Sequence, residues 1–224
     1  MLTVVPTPIG NLQDITLRAL QALREADLVA AEDTRHSSVL LLHHNIKKPM
    51  LSLHEHNEAS RTAALVEEIA GGRSIALVTD AGMPGISDPG FRLIRACRER
   101  GLSVIVLPGP SAVLTALVGS GFPSDAFFFG GFLPVKSGRR RSELERAVSR
   151  RETSIYFESP HRLLKSLDVL VEIAPDANVC IARELTKKFE EYRRGVPAEL
   201  RSHYQARQPK GEITVVISPS VCGT

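Results

Sequence analysis

No apolar run in the 224-residue chain approaches the length of a bilayer span, which argues against a transmembrane helix. Cysteine is scarce. Cys97, Cys180 and Cys222 are scattered without metal-ligand or redox spacing. Cys97 and Cys180 sit in apolar settings and are expected to be small core hydrophobes. The pattern favours a reducing, cytoplasmic setting without structural disulfides. The first residues, MLTVV, carry no basic n-region and read as a strand, not a signal peptide. That strand is not followed by G-x-G-x-x-G, so neither a Rossmann dinucleotide site nor its methyltransferase relative is signalled. G-x-x-x-x-G-K-[ST] and G-x-S-x-G are also missing, which leaves no P-loop and no nucleophile elbow. His43, His44, His54 and His56 form no metal set, so no metal is expected. Internal repeats and low-complexity tracts are absent as well.

What remains has the make-up of an ordinary soluble globular protein, 43% hydrophobic and 24% charged. Up to about residue 120, short apolar runs at 2–5, 28–31, 75–79 and 104–107 alternate with helical patterns at 16–26, 37–44, 58–70, 91–101 and 111–118. Residues 50–53 read as a further short strand. This alternation predicts a mainly parallel sheet covered on both faces. The stretch GSGFPS (119–124) is the best linker candidate, which predicts two α/β domains, 1–120 and 121–224. Beyond FFFGGFLP (127–134) the second domain reads as a basic helix (138–151), a strand (155–157), a helix opening at Pro160 with Ser159 as cap, and a strand (179–183). A strand or hairpin near 189–194, a short helix (197–204) and a closing strand (212–218) complete a mixed sheet. Two small domains would create a cleft, where ligand sites tend to lie.

Three Pro- and Gly-rich loops follow predicted strands at what should be one edge of the parallel sheet: PTPIGN (6–11), TDAGMPGISDPG (79–90) and PGPSA (108–112). Ligands of open α/β sheets bind at the carboxyl ends of strands, and such loops offer a fixed path with little side-chain bulk. Asp80 is placed to receive a hydroxyl or amine, or to serve as a turn residue. Asp88, just before Pro89, reads as an N-cap, and Ser111 as a cap or a ligand-holding hydroxyl. AEDTR (31–35) ends the second strand with two carboxylates and an arginine, either a salt-bridged helix start or a substrate-facing acid and cation. The net charge of +3 is unevenly spread, with Arg139, Arg140 and Arg141 at the start of a run that includes Arg146, Arg150 and Arg151. Arginines beside aromatics suit the phosphates and bases of single-stranded RNA, although a solvated helix face laced by Glu143 and Glu145 explains them equally.

At these motifs the chain resembles the ribosomal RNA small subunit methyltransferase I family, within the tetrapyrrole methylase superfamily. The resemblance rests on VVPTPIGNLQDITLRAL, AAEDTRHS, TDAGMPGISDPG, VLPGPSA, GGFLPVKSGRR, YFESPHRL, ARELTKKFEE and GEITVVI, in order from residue 4 to 217. It implies a tetrapyrrole-methylase-like fold, S-adenosylmethionine in the interdomain cleft, and a homodimer. It implies methyl transfer to the ribose 2′-hydroxyl of a cytidine in the decoding region of 16S rRNA, on the free rRNA or the small ribosomal subunit. Carried over by position, Pro8, Ile9, Gly10, Asp80, Gly82, Met83, Ser111 and Ala112 line the cofactor, and Phe157, Ala182, Gly211 and Ile213 close over adenine. AEDTR, with Arg35, and residues 136–141 face the RNA, as does Arg162 of the FESPHR motif. Asp33 or Glu32 is the expected proton acceptor, and Lys136 or Arg35 the group that positions the ribose-phosphate. The family continues past GEITVVI with a small helical region that this chain does not contain. A tetrapyrrole C-methyltransferase on the same scaffold, or an RNA-binding module that has lost catalysis, are the rival expectations.

Overall fold

The computed structural model describes residues 1–219; Cys222 lies outside them. The chain divides into two compact units, residues 1–111 and 112–224.

Unit 1 holds five parallel strands: β1 (Leu2–Val4), β2 (Leu28–Ala31), β3 (Met50–Ser52), β4 (Ile75–Val78) and β5 (Val104–Val106), in the order β3-β2-β4-β1-β5. Their side chains alternate between two cores, because successive residues of a strand point to opposite faces. Leu2, Val4, Leu28, Ala30, Ile75 and Leu77 meet α3 (Glu55–Ala70) and α4 (Phe91–Glu99) through Leu65, Ile69, Leu93 and Cys97. Val29, Ala31, Ala76 and Val78 meet α1 (Leu17–Glu25) and α2 (Thr34–His43) through Ala19, Leu23, Leu40 and Leu41. Burial on both faces is why these strands read as unbroken apolar runs. The chain therefore leaves β1 towards one face and β4, its neighbour, towards the other.

Unit 2 begins with α5 (Ala112–Ser120) and builds a mixed sheet in the order β6-β7-β10-β8-β9. Its strands are β6 (Phe127–Phe132), β7 (Thr153–Glu158), β8 (Val179–Arg183), β9 (Glu191–Gly195) and β10 (Ile213–Ile217). Only β6 and β7 run parallel. Tyr156, Ile181 and Val215 point into a core formed with α6 (Ser137–Ser149), α7 (Leu163–Ile173) and α8 (Pro197–Ala206) through Leu144, Leu167 and Leu200. The alternate residues face α5, where the Tyr192 hydroxyl donates to the Thr115 carbonyl at 3.4 Å. Because α5 packs on this second sheet, the division falls before α5, and GSGFPS lies inside unit 2.

One unassigned stretch becomes a strand and one local reading changes. FFFGGF is a strand whose register shifts between Phe129 and Phe132; the paired glycines hid its period. The helix expected from Pro160 starts at Leu163 with Arg162 as N-cap. Ser159 instead closes the preceding turn, its carbonyl accepting from the amides of Arg162 and Leu163. Cys97 and Cys180 are buried free thiols, and burial raises the Cys180 thiol to about 11.

The FESPHR segment is locked by Glu158 at the end of β7. Its carboxylate accepts from Arg162 Nε at 3.0 Å, Ser166 Oγ at 2.6 Å and the Ser159 amide at 2.7 Å. Removing one member of a buried pair strands the other. Glu158→Ala should thus destabilise unit 2 by about 3 kcal/mol. The chain has no tryptophan, and Tyr156, Tyr192 and Tyr204 all lie in unit 2. Tyrosine fluorescence during urea unfolding reads this unit alone and checks the loss.

Candidate functional site

Parallel strands present all their carboxyl ends at one edge, and the ends of β1 and β4 form the topological switch point of unit 1, where open α/β sheets bind ligands. Thr7 and Gly82 form an antiparallel bridge between the loops after these strands, with Thr7 N–H to Gly82 carbonyl at 3.0 Å and the reverse bond at 2.9 Å. The Thr7 hydroxyl also donates to the Thr79 carbonyl at 3.0 Å. Gly82 has φ +78°, and a Cβ there would lie 3.5 Å from Ile9 Cγ2 and 3.9 Å from the Pro110 carbonyl. The loops after β1, β4 and β5 thus converge on a bare stretch of main chain that a side chain would both strain and thicken. Pro8 and Ile9 are buried in this floor, Gly10 is exposed, and Asp80, Met83, Ser111 and Ala112 are half-buried. The Thr79 hydroxyl is buried there with no hydrogen-bond partner among the described residues.

The end of β2 is tied to the end of β4 by a crossed pair of hydrogen bonds. The Asp33 amide donates to Asp80 Oδ1 at 3.1 Å, and the Asp80 amide donates to Glu32 Oε2 at 3.3 Å. Glu32 and Asp33 are adjacent but chemically unlike. Desolvation, aided by the charges of Asp80 and Asp33, raises the Glu32 carboxyl above its ordinary 4.5. Hydrogen bonds from the Arg35 side chain and amide hold the Asp33 carboxyl well below the usual carboxylate range. Asp33 is the N-cap of α2, and Arg35 binds it through Nε at 3.1 Å and Nη2 at 2.7 Å. The salt-bridged helix start describes Asp33 and Arg35, whereas Glu32 forms no ion pair among the described residues.

The N-cap of α4 is Gly90, not Asp88, and the helix carries no side-chain cap of its own. Its first amides reach across to Glu58 of α3, whose Oε1 accepts from Gly90, Arg92 and Leu93 at 3.0, 2.8 and 3.4 Å. Sequence reasoning missed Glu58 because no local pattern marks a cap supplied from another helix.

In unit 2, Phe157 and Ala182 both pair with Thr214, so they share a row on the α5 face of the sheet. Ile213 points the other way, into the core. Gly211, φ +84°, lies against Glu184, whose Oε1 would be 2.1 Å from a Cβ. Of the cations assigned to RNA, Arg162 is held by Glu158, and Arg141 pairs with Glu145 and Glu172. Arg140 is 5% exposed and donates to the Val135 carbonyl. Lys136 and Arg139 are exposed and form no ion pair among the described residues. The arginine run is therefore mostly structural, with exposed, unpaired charge among the described residues at Lys136 and Arg139 and, past the end of α6, at Arg151.

The chain matches the profile of the family described as Tetrapyrrole (Corrin/Porphyrin) Methylases over residues 1–201. A Thermotoga maritima protein named ribosomal RNA small subunit methyltransferase I is 48% identical over 217 residues, covering 97% of this chain and 97% of that protein. A Mesorhizobium japonicum protein of the same name is 50% identical over 221 residues, covering 98% of this chain and 75% of that protein. Among solved structures, the methyltransferase CobJ superposes with a TM-score of 0.72 at 18% identity, covering 98% of this chain and 94% of that one. Uroporphyrin-III-C-methyltransferase from Thermus thermophilus gives 0.67 at 22% identity, covering 96% and 93%.

A carboxyl raised in the folded state favours folding while protonated, and that contribution is lost as pH rises through the raised value. Glu32 therefore weakens unit 1 above its ordinary 4.5. Glu32→Gln, which keeps the acceptor for the Asp80 amide, should raise the unfolding temperature of unit 1 at neutral pH. The difference should vanish below 4.5, and calorimetric scans across this range check it.

Proposed function

The chain belongs to the ribosomal RNA small subunit methyltransferase I family of the tetrapyrrole (corrin/porphyrin) methylases, and from that premise we propose a specific reaction. It methylates the ribose 2′-hydroxyl of a cytidine in the decoding region of 16S rRNA, with S-adenosylmethionine as donor. The observation that carries this reading is the bare floor around Gly82, set beside a carboxyl of raised pKa at the switch point of unit 1.

The residues present suit such a donor. Gly82 leaves the main chain uncovered between Ile9 and Pro110, and the Thr79 hydroxyl, close by in sequence, lies buried without a hydrogen-bond partner among the described residues. When bound, S-adenosylmethionine supplies an electrophilic methyl group, so alignment and proton removal are what the protein must add. Pro8, Ile9 and Gly82 align the ligand. Glu32 takes the proton of the attacking hydroxyl at its carboxylate, since a base poised nearer neutrality transfers protons more effectively. Asp33 is too strongly held by Arg35 to compete and serves to fix the start of α2. Lys136 and Arg139 contribute cationic contacts to rRNA phosphates. The same reading includes a homodimer acting in the cytoplasm.

Methylation of small-subunit rRNA, with the modified ribose mapped by primer extension, tests the proposal. Glu32→Gln should lower kcat by about 10²–10⁴-fold while the KM for the donor stays nearly constant, and Asp33→Ala should retain most of the activity. Full activity in Glu32→Gln removes Glu32 from the mechanism, and methylation at a base or elsewhere removes the substrate assignment. Lys136→Ala and Arg139→Ala should each weaken rRNA binding and lower the salt slope by about 1. An unchanged salt dependence would take that residue off the RNA contact surface.

A further inference from the structure

Residues 79–90 form a long connection whose two ends are held by different means. The near end is secured by the Thr7–Gly82 bridge and by the bonds of Asp80 to Glu32 and Asp33. Between the ends the loop folds on itself, with Ile86 N–H to Met83 carbonyl at 3.2 Å and Gly85 N–H to Pro89 carbonyl at 3.1 Å. The far end, where the loop becomes α4, is bonded from a different helix. Gly90 stands at φ +123° with a Cβ position only 2.9 Å from Leu77 Cδ2, so no capping side chain fits there. Glu58 Oε1 accepts from the Gly90, Arg92 and Leu93 amides at this end.

Glu58 is 6% exposed and forms no ion pair among the described residues. Its countercharge is the amide end of α4, where a carboxylate is favoured by the aligned peptide dipoles as well as by direct hydrogen bonds. It sits in the first turns of α3, packed beside α4 on the same face of the sheet, and it bonds the chain at the point where the loop becomes helix. We infer that Glu58 is a positioning residue for donor binding: it fixes the far end of the 79–90 loop, and so the height of the Gly82 floor, without touching the ligand. This rests on the reading of that floor as the donor site. Loss of the carboxylate should free the loop and weaken donor binding, while the reacting groups at the end of β2 stay in place. The effect then falls on KM and Kd and leaves kcat nearly unchanged, the signature of lost uniform binding.

The test uses the whole chain and S-adenosylmethionine as probe. In Glu58→Ala, amide hydrogen exchange at Gly90, Arg92 and Leu93 should accelerate, and calorimetric Kd for the donor should rise roughly tenfold or more. The kcat at saturating donor should stay within about twofold. Glu58→Gln, which keeps an oxygen at the same reach, should restore most of the affinity. Glu58→Asp withdraws the carboxylate by one methylene and should behave like Glu58→Ala; it is read in the same way if the alanine variant does not fold. Unchanged Kd with accelerated exchange overturns the inference, and so does a fall in kcat at constant Kd. Failure of the wild-type chain to bind the donor sinks the function reading as well, and is told apart because it needs no variant.

Discussion

The crossed hydrogen bonds between the ends of β2 and β4 are the constraint on which the candidate site depends. Each bond uses a main-chain amide that emerges at the end of a parallel strand, where the ladder no longer supplies an acceptor. Asp80 satisfies the Asp33 amide and Glu32 satisfies the Asp80 amide, so the two strand ends are tied through each other's side chains. The arrangement brings three carboxylates together. Their mutual repulsion has to be relieved, and it is relieved unequally. Asp33 gains Arg35 and the start of α2, whereas Glu32, despite the Asp80 amide and the nearby His36, is partly withdrawn from water. Two adjacent acids thereby acquire opposite shifts, a familiar way for one environment to hold an anion and a proton acceptor side by side.

The floor beside these acids follows from a second constraint, the departure of β1 and β4 towards opposite faces of the sheet. A crevice opens between the two exits, and the Thr7–Gly82 bridge joins the loops across it. Glycine is needed at Gly82 for its backbone conformation and for its lack of bulk together. At Gly90 the demand is close packing on Leu77, which displaces capping to Glu58 on another helix. The loop in between is long because it joins the Thr7–Gly82 bridge at one end to the start of α4 at the other.

The second unit shows how charge on paper differs from charge in solution. Six arginines fall within residues 139–151, yet most of them support the fold. Arg140 braces the approach to α6, Arg141 joins α6 to α7 through Glu172, and Arg150 stacks over Phe128 with its guanidinium carbon 3.7 Å from the ring centre. Arg162 secures the β7–α7 turn. A basic run that braces its own helices leaves few unpaired charges, and Lys136, Arg139 and Arg151 are exposed without an ion pair among the described residues.

The sequence by itself determined the alternation of strands and helices, the parallel first sheet and the mixed second one. It also determined the place of the Pro- and Gly-rich loops, because period, burial on two faces and turn chemistry are properties of neighbouring residues. The family was legible for the same reason, since its motifs are contiguous. It left FFFGGF unassigned, where paired glycines mask a strand, and misread Asp88, where a local cap was expected. Which carboxylate is raised, which arginines are free of partners and what holds α4 were decided only in three dimensions. Asp33 meets Asp80 across 47 residues and Glu58 meets Gly90 across 32. Desolvation and hydrogen-bond partnership belong to such distant encounters, and no window along the chain contains both members of the pair.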